Sequence, residues 1–380
     1  MEKVKLGEIC EIVSGSTPKT SIEEYWDGEL KWITPAELND DTYIINDSVR
    51  KITELAVQKT GLTSFPEGTV ILSSRAPIGK VAIAGCEMYC NQGFKNLICS
   101  DKINNKYLYW FLKGNTSFLN SLGRGATFKE ISKKIVADIE INVPDWGQQE
   151  SVVENLERIS SVIQLRKQEL QKLDELMRAR FVEMFGDINI NDKKWECQPL
   201  GELCTIVRGG SPRPIDKFLG GDVPWIKIGD ATDGDDIYLN STKEYIIQEG
   251  VKKSRLVKSG SLIFANCGVS LGFARIITFD GCIHDGWLAM EDIDERLDKV
   301  FLLQALNQMT QHFREIAPAG TQPNLNTAIM KAYMQIIPPM EMQKEFIGFV
   351  HQVDKSKAAI QKALDKTQLL FDSLMQKYFG

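Results

Sequence analysis

Gln322, Asn324 and Asn326 fall within one short stretch, PAGTQPNLNT (318–327). A carboxamide presents a donor and an acceptor side by side, the pattern that pairs bidentately with an adenine edge. Arg75 and Arg124 carry the guanidinium fork that suits guanine in the same way. Glycines beside them let backbone approach a ligand closely. Such residues bind and orient.

Residues that would break bonds are harder to find. There is no GxxxxGK phosphate loop, no GxSxG elbow and no HExxH helix. Three histidines, at 284, 312 and 351, leave little room for imidazole-based acid–base chemistry. IPPM (337–340) has the double proline of an amino-methyltransferase loop but not the flanking residues that would grip a base. DGELK (27–31) resembles a nuclease carboxylate–lysine set only faintly, and DATDGDD (230–236) lacks calcium-loop spacing and reads as an acidic turn. Cys86 and Cys90 are four apart without a CxxC pair, so buried thiols are expected rather than a zinc site.

The polar loops occur twice. LGEICEIVSGSTPKT (6–20) matches LGELCTIVRGGSPRP (200–214), an offset of 194 residues. LKWITPAELNDDTYI (30–44) parallels VPWIKIGDATDGDDIYL (223–239), and ILSSRAPIGKVAI (71–83) parallels IFANCGVSLGFARII (263–277). Pro144 pairs with Pro338, Gln149 with Gln343, and FG at 185–186 with FG at 379–380. One offset held through a whole half marks a tandem duplication. Three polar, turn-rich stretches recur where strands should end: 14–20 with 208–214, 73–80 with 266–272, and 123–132 with 318–327. Their side chains differ between copies while the frame matches, as expected of two readers of different short sequences. The candidate contact residues are Ser16, Thr17, Lys19, Arg75, Lys80, Arg124, Thr127 and Lys129 in the first copy. In the second they are Arg208, Ser211, Arg213, Asn266, Thr321, Gln322, Asn324 and Asn326.

The elements that must hold these loops follow from patterning. Short apolar runs broken by Gly, Pro and Asn, such as GTVILSS and GSLIFAN, predict strands with tight turns; NKYLYWFLKG and LDKVFLLQALNQMTQHF predict helices. Each half is therefore expected to hold an α+β domain, at 1–147 and 187–341. Each ends in a long helix, at 148–186 and 342–380. Positions 152, 156, 159, 163, 166, 170, 173, 177, 180 and 184, and those 194 further on, alternate steps of four and three, the seam of a coiled coil. Arg166, Arg180, Lys357 and Thr367 interrupt it, and the long cations can lay their stems along an apolar seam. About 38 residues give a helix of roughly 57 Å. Asp145 with Gln148 predicts one helix start, Pro338 and Pro339 the other, and Gly186 a stop. The two seams predict that the helices pair with each other.

The chain of 380 residues is too long for one ordinary core. It shows no run of 18 apolar residues, and MEKVKLGEIC lacks the apolar core of a signal peptide. A cytoplasmic protein with its eight cysteines mostly reduced is expected. A net charge of −6 argues against a stand-alone nucleic-acid binder, unless partners supply the phosphate contacts.

With the duplicated openings, WIKIGD (225–230), GTQPNLN (320–326) followed by IIPPMEMQKEF (336–346), and the order domain, long helix, domain, long helix, the chain resembles the specificity subunits of type I restriction–modification enzymes. GATFKEI (125–131) and VPDWGQQESV (143–152) are looser versions of the same motifs. The resemblance covers nearly the whole chain. It implies two target recognition domains, each reading one part of a split double-stranded DNA sequence. Two long antiparallel coiled-coil helices would set the distance between the parts. It also implies two modification subunits that methylate adenine with S-adenosylmethionine, and restriction subunits that join to use ATP and Mg2+. This chain would hold no cofactor. GRGATFKEI lacks the Pro-Asn-Leu core of the second copy, so the two copies would use that loop differently. Two other readings compete: a diverged methyltransferase or nuclease, and a scaffold bridging two protein partners with no role on DNA.

Overall fold

In the computed structural model, residues 2–39, 41–75, 77–125, 129–231, 237–318 and 324–380 are described. The chain divides into two compact units, one of residues 1–165 with 364–380 and one of residues 166–363. The expected boundaries followed the sequence order, whereas compactness cuts through both long helices.

In the first unit, the central strands Val70–Ser73 and Val81–Ala84 are buried along their whole length. That is why their sequences are apolar runs rather than alternations. They belong to a five-stranded sheet ordered Cys10–Ser14, Phe94–Cys99, Val70–Ser73, Val81–Ala84, Ile44–Ile45. The last pairing is parallel and the others antiparallel. A second sheet joins Arg50–Ile52, Trp26–Ile33 and Tyr89–Cys90.

The second unit repeats the plan. Thr205–Arg208, Trp287–Glu291, Leu262–Ala265, Ala274–Ile277 and Tyr238–Leu239 form the five-stranded sheet in the same order. Glu244–Ile246, Leu219–Ile226 and Gly281–Ile283 form the second sheet, which gains Arg255–Val257. Even an irregularity is shared. Trp26 and Leu30 both lie opposite Ile52, and Leu219 and Val223 both lie opposite Ile246. Bulges of this kind re-aim a strand and belong to the fold's design.

Helices cover one face of each five-stranded sheet. Asn104 caps Asn105–Gly114 by accepting from the Lys106 and Tyr107 N–H groups, and Asp298 caps Lys299–Gln308 through Val300 and Phe301. A capping side chain satisfies otherwise orphaned N–H groups.

The long helices run Trp146–Phe185 and Met340–Phe379, 40 residues each. Every seam position predicted from the alternating spacing is buried or half-buried. Within the second unit Arg180 bonds Glu345 at 2.7 Å and Lys357 bonds Asp174 at 2.7 Å, and the Arg166 guanidinium donates to the Ala363 carbonyl. One partner's number falls as the other's rises, so these helix segments are antiparallel. The three charged interruptions of the seam, Arg166, Arg180 and Lys357, each reach a carboxylate or carbonyl. Within the first unit the start of one helix meets the end of the other: Val153, Leu156 and Met375 share a core, and Asn155 donates to the Tyr378 hydroxyl at 3.5 Å. Each helix pair is anchored in its unit's core. Phe181 and Phe185 pack on Phe301 and Phe346, with ring centroids 4.9–6.1 Å apart.

The helix starts come close to the expected positions. Gln148 N–H donates to the Asp145 carboxylate at 2.9 Å, a cap without the reciprocal half of a box. Gly186 ends the first helix with φ +78°.

Candidate nucleic-acid interface

The duplicated loops meet at the ends of the five-stranded sheet in each unit, stitched by main-chain hydrogen bonds. In the first unit Ser16 N–H donates to the Cys90 carbonyl at 2.9 Å, Ser74 N–H to Gly93 at 2.7 Å, and Ile131 N–H to Ser74 at 2.9 Å. In the second, Gly210 N–H donates to Ile283 at 3.0 Å, Asn266 N–H to Gly286 at 3.0 Å, and Leu325 N–H to Asn266 at 2.8 Å. The three loops expected from the sequence are thus joined by a fourth stretch, 90–93 and 283–286, that sequence reasoning did not select. The signal was present: YCNQGF (89–94) and CIHDGW (282–287) share a Gly followed by an aromatic at nearly the repeat offset.

The joints explain the echo of VSGSTPKT in VRGGSPRP. A Cβ at Gly15 would collide with the Asn91 and Cys90 carbonyl oxygens, and one at Gly209 with those of His284 and Ile283. Only glycine lets these strands run so close. Two residues on, Thr17 donates its hydroxyl to Gln92 Oε1, and Ser211 donates to Asp285 Oδ1 at 2.7 Å. The same latch is built twice with different chemistry on the anvil: a neutral amide in one unit, a carboxylate in the other.

The remaining candidates fall into distinct environments. In the first unit Ser16 and Lys19 are exposed, while their carbonyls accept from the indoles of Trp32 at 3.0 Å and Trp26 at 3.3 Å. The main chain of Arg124 pairs with that of Glu130 through two 3.0 Å bonds, and the neighbouring Lys129 is exposed. Arg75 Nη1 stands 4.0 Å from Glu130 Oε2, and Lys95 Nζ 3.3 Å from Glu130 Oε1. Lys80 was expected to face a ligand. Instead its ammonium donates to the Pro35 carbonyl at 3.1 Å and to Leu38, because it lies beside a turn whose carbonyls need donors. Thr127 lies outside the described residues.

In the second unit, Arg208, Ser211 and Arg213 gather around Asp285. Arg208 Nε donates to the Asp285 carbonyl at 3.1 Å, and Arg213 Nη2 lies 3.5 Å from Oδ2. His284 Nε2 is 3.0 Å from Asp285 Oδ1. Burial opposes ionisation of Asp285, yet the Ser211 hydroxyl, His284, Arg213 and Arg208 together hold its carboxyl below the usual range. Burial lowers the His284 imidazole against the pull of Asp285, which favours its neutral form. A cavity of about 430 Å³ opens here, lined by residues 211–215, Trp225 and His284.

Asn266 corrects an expectation. It is fully buried, and its amide donates to the Leu325 carbonyl at 3.0 Å and to Asn324 Oδ1 at 3.2 Å. Closed off from solvent, this side chain ties two loops together. Asn324 is half-buried on this tie, and Asn326 caps Thr327–Ala332 by accepting from Ile329 N–H. Thr321 and Gln322 lie outside the described residues. Among the described residues no group of three His, Cys, Asp or Glu could hold a metal, and no helix is long and apolar enough to cross a membrane.

Two loop platforms on one scaffold, with different side chains, match a known architecture. A family model described as the type I restriction modification DNA specificity domain matches residues 1–175 and again 192–368. The chain belongs to the type I restriction–modification DNA specificity family.

The MjaIX specificity subunit of Methanocaldococcus jannaschii is 29% identical over 98% of this chain and 91% of its own length. The EcoDI specificity subunit of Escherichia coli is 22% identical over 73% of this chain and 70% of its own. In fold, the chain is similar to a solved type I restriction–modification assembly component, at TM-score 0.64, 18% identity and coverage of 100% and 97%. The crystal structure of an S subunit from M. genitalium matches at TM-score 0.55, 16% identity and coverage of 100% and 96%. The α+β tandem architecture with its long helices is that of a specificity subunit. Specificity subunits are non-catalytic and recognise DNA, and this reading stands over the scaffold and diverged-enzyme alternatives.

Proposed function

We infer that each unit of this specificity subunit reads one part of a bipartite double-stranded DNA target with its stitched loop platform. The long helices set the spacing between the two parts and dock two modification subunits. Restriction subunits join the same assembly. S-adenosylmethionine, ATP and Mg2+ belong to those partners, and the complex works in the cytoplasm, where its DNA is. The observation that supports this reading most directly is the repeated latch. Ser211 on Asp285 and Thr17 on Gln92 show one frame carrying different donor and acceptor sets, as two different half-sites require.

The test is to map methylated adenines in cells carrying this chain with its modification subunit. The expected result is one bipartite motif whose two halves change independently when loops of one unit are altered. A continuous motif, or methylation that ignores this chain, would overturn the reading.

A further inference from the structure

The geometry points to one G·C base pair as the element that Arg213 and Asp285 read together. This rests on the reading of the second unit as a DNA reader. In the major groove a G·C pair presents N7 and O6 of guanine as acceptors and N4–H2 of cytosine as a donor, in that order. The complementary protein surface is a guanidinium beside a carboxylate.

Arg213 and Asp285 form that surface. The Arg213 side chain is 80% exposed, so most of its N–H fork is open to a ligand. Asp285 is placed by its other contacts: Oδ1 takes the Ser211 hydroxyl at 2.7 Å and His284 Nε2 at 3.0 Å. Oδ2 carries only the longer 3.5 Å contact to Arg213 among the bonds described, and it keeps acceptor capacity for an amino group. O6 and N4 of a G·C pair are bonded to each other at about 2.9 Å. A donor and an acceptor that meet them must therefore stand side by side at a similar spacing, as Nη2 and Oδ2 do.

The pair also rejects alternatives. An A·T pair offers acceptor, donor, acceptor, which sets the adenine amino group against the guanidinium and thymine O4 against the carboxylate. Pro212 and Pro214 restrict the backbone on either side of Arg213. Asp285 is thus both a reader and a positioning residue, and sequence reasoning did not select it. In the first unit Lys19 and Gln92 stand at these places, so that unit reads something else.

The experiment maps methylated sites in cells carrying the whole complex with Arg213→Lys, Arg213→Ala, Asp285→Asn or Asp285→Glu, beside thermal melts of each purified variant. The expected result is a G·C pair at one position of one half-site. Arg213→Ala and Asp285→Asn should both relax that same position, with discrimination falling about 5- to 150-fold, and the other half-site should stay unchanged. Asp285→Glu should keep part of the preference. Arg213→Lys, an exposed substitution that should fold, should lose the fork and relax the position too. The inference is overturned if the two residues relax different positions, if the position is not G·C, or if stable Arg213→Lys leaves the motif intact. A wild-type complex without any bipartite motif would instead sink the DNA-reading assignment beneath it.

Discussion

Lys95 Nζ lies 3.3 Å from the Glu130 carboxylate, with the lysine side chain only 8% exposed. The lysine projects from an interior strand, and the carboxylate belongs to Glu130, which pairs through its main chain with Arg124 and adjoins Lys129. At the equivalent register position of the second unit, opposite Phe264 as Lys95 is opposite Leu72, stands Leu288. The charge pair is therefore peculiar to the first unit, and it fastens that unit's third loop to the sheet. Lys95→Met should cost about 1–2 kcal/mol, between the values for exposed and buried pairs. It should also loosen base preference in one half-site only. A double-mutant cycle with Glu130→Gln, read by thermal melts, should show coupling near 1 kcal/mol; additive losses would show that the two groups do not interact.

Gly209→Ala should destabilise the second unit by about 1–3 kcal/mol, since the new methyl meets backbone carbonyls that cannot swing away. Gly229→Ala is the control. Nothing lies within 4 Å of a Cβ there, so its melt should move by less than about 0.5 kcal/mol. Equal effects would disprove the close-approach explanation for the repeated glycine.

Gln343→Leu should cost about 2–4 kcal/mol. The substitution strips a partner from the Asp298 N–H and from the Arg296 and Pro338 carbonyls, all bonded at 2.7–2.8 Å. Gln149→Leu should do the same through Asn104, Lys102 and Pro144. Denaturant melts of the two variants would check this, and a neutral result at either position would show that the amide's bonds add little.

With a net charge of −6, the isolated chain should bind DNA weakly, at about micromolar affinity or worse in physiological salt, and should weaken further as salt rises. Adding modification subunits should tighten binding by orders of magnitude. Fluorescence anisotropy across a salt series is the measurement, and nanomolar binding by the lone chain would contradict the dependence on partners.

Much of this protein was legible in its sequence because the information is local or repeated. Gly15 with Gly209, Gln149 with Gln343 and the four-and-three spacing of the helix seams each report a backbone constraint that only a few residue types meet. The duplication made them visible by stating each twice. Tertiary structure decided the fate of the polar side chains. Asn266 and Lys80 have the chemistry of base and phosphate readers, yet one is buried between loops and the other serves the carbonyls of Pro35 and Leu38. Asp285, an unremarked acid between a histidine and a glycine, became the centre of the second platform because strands more than 70 residues apart end beside each other there. Residue type states what a group can bond to. Which partner it meets depends on the convergence of distant strand ends, and that geometry exists only once the sheets have formed.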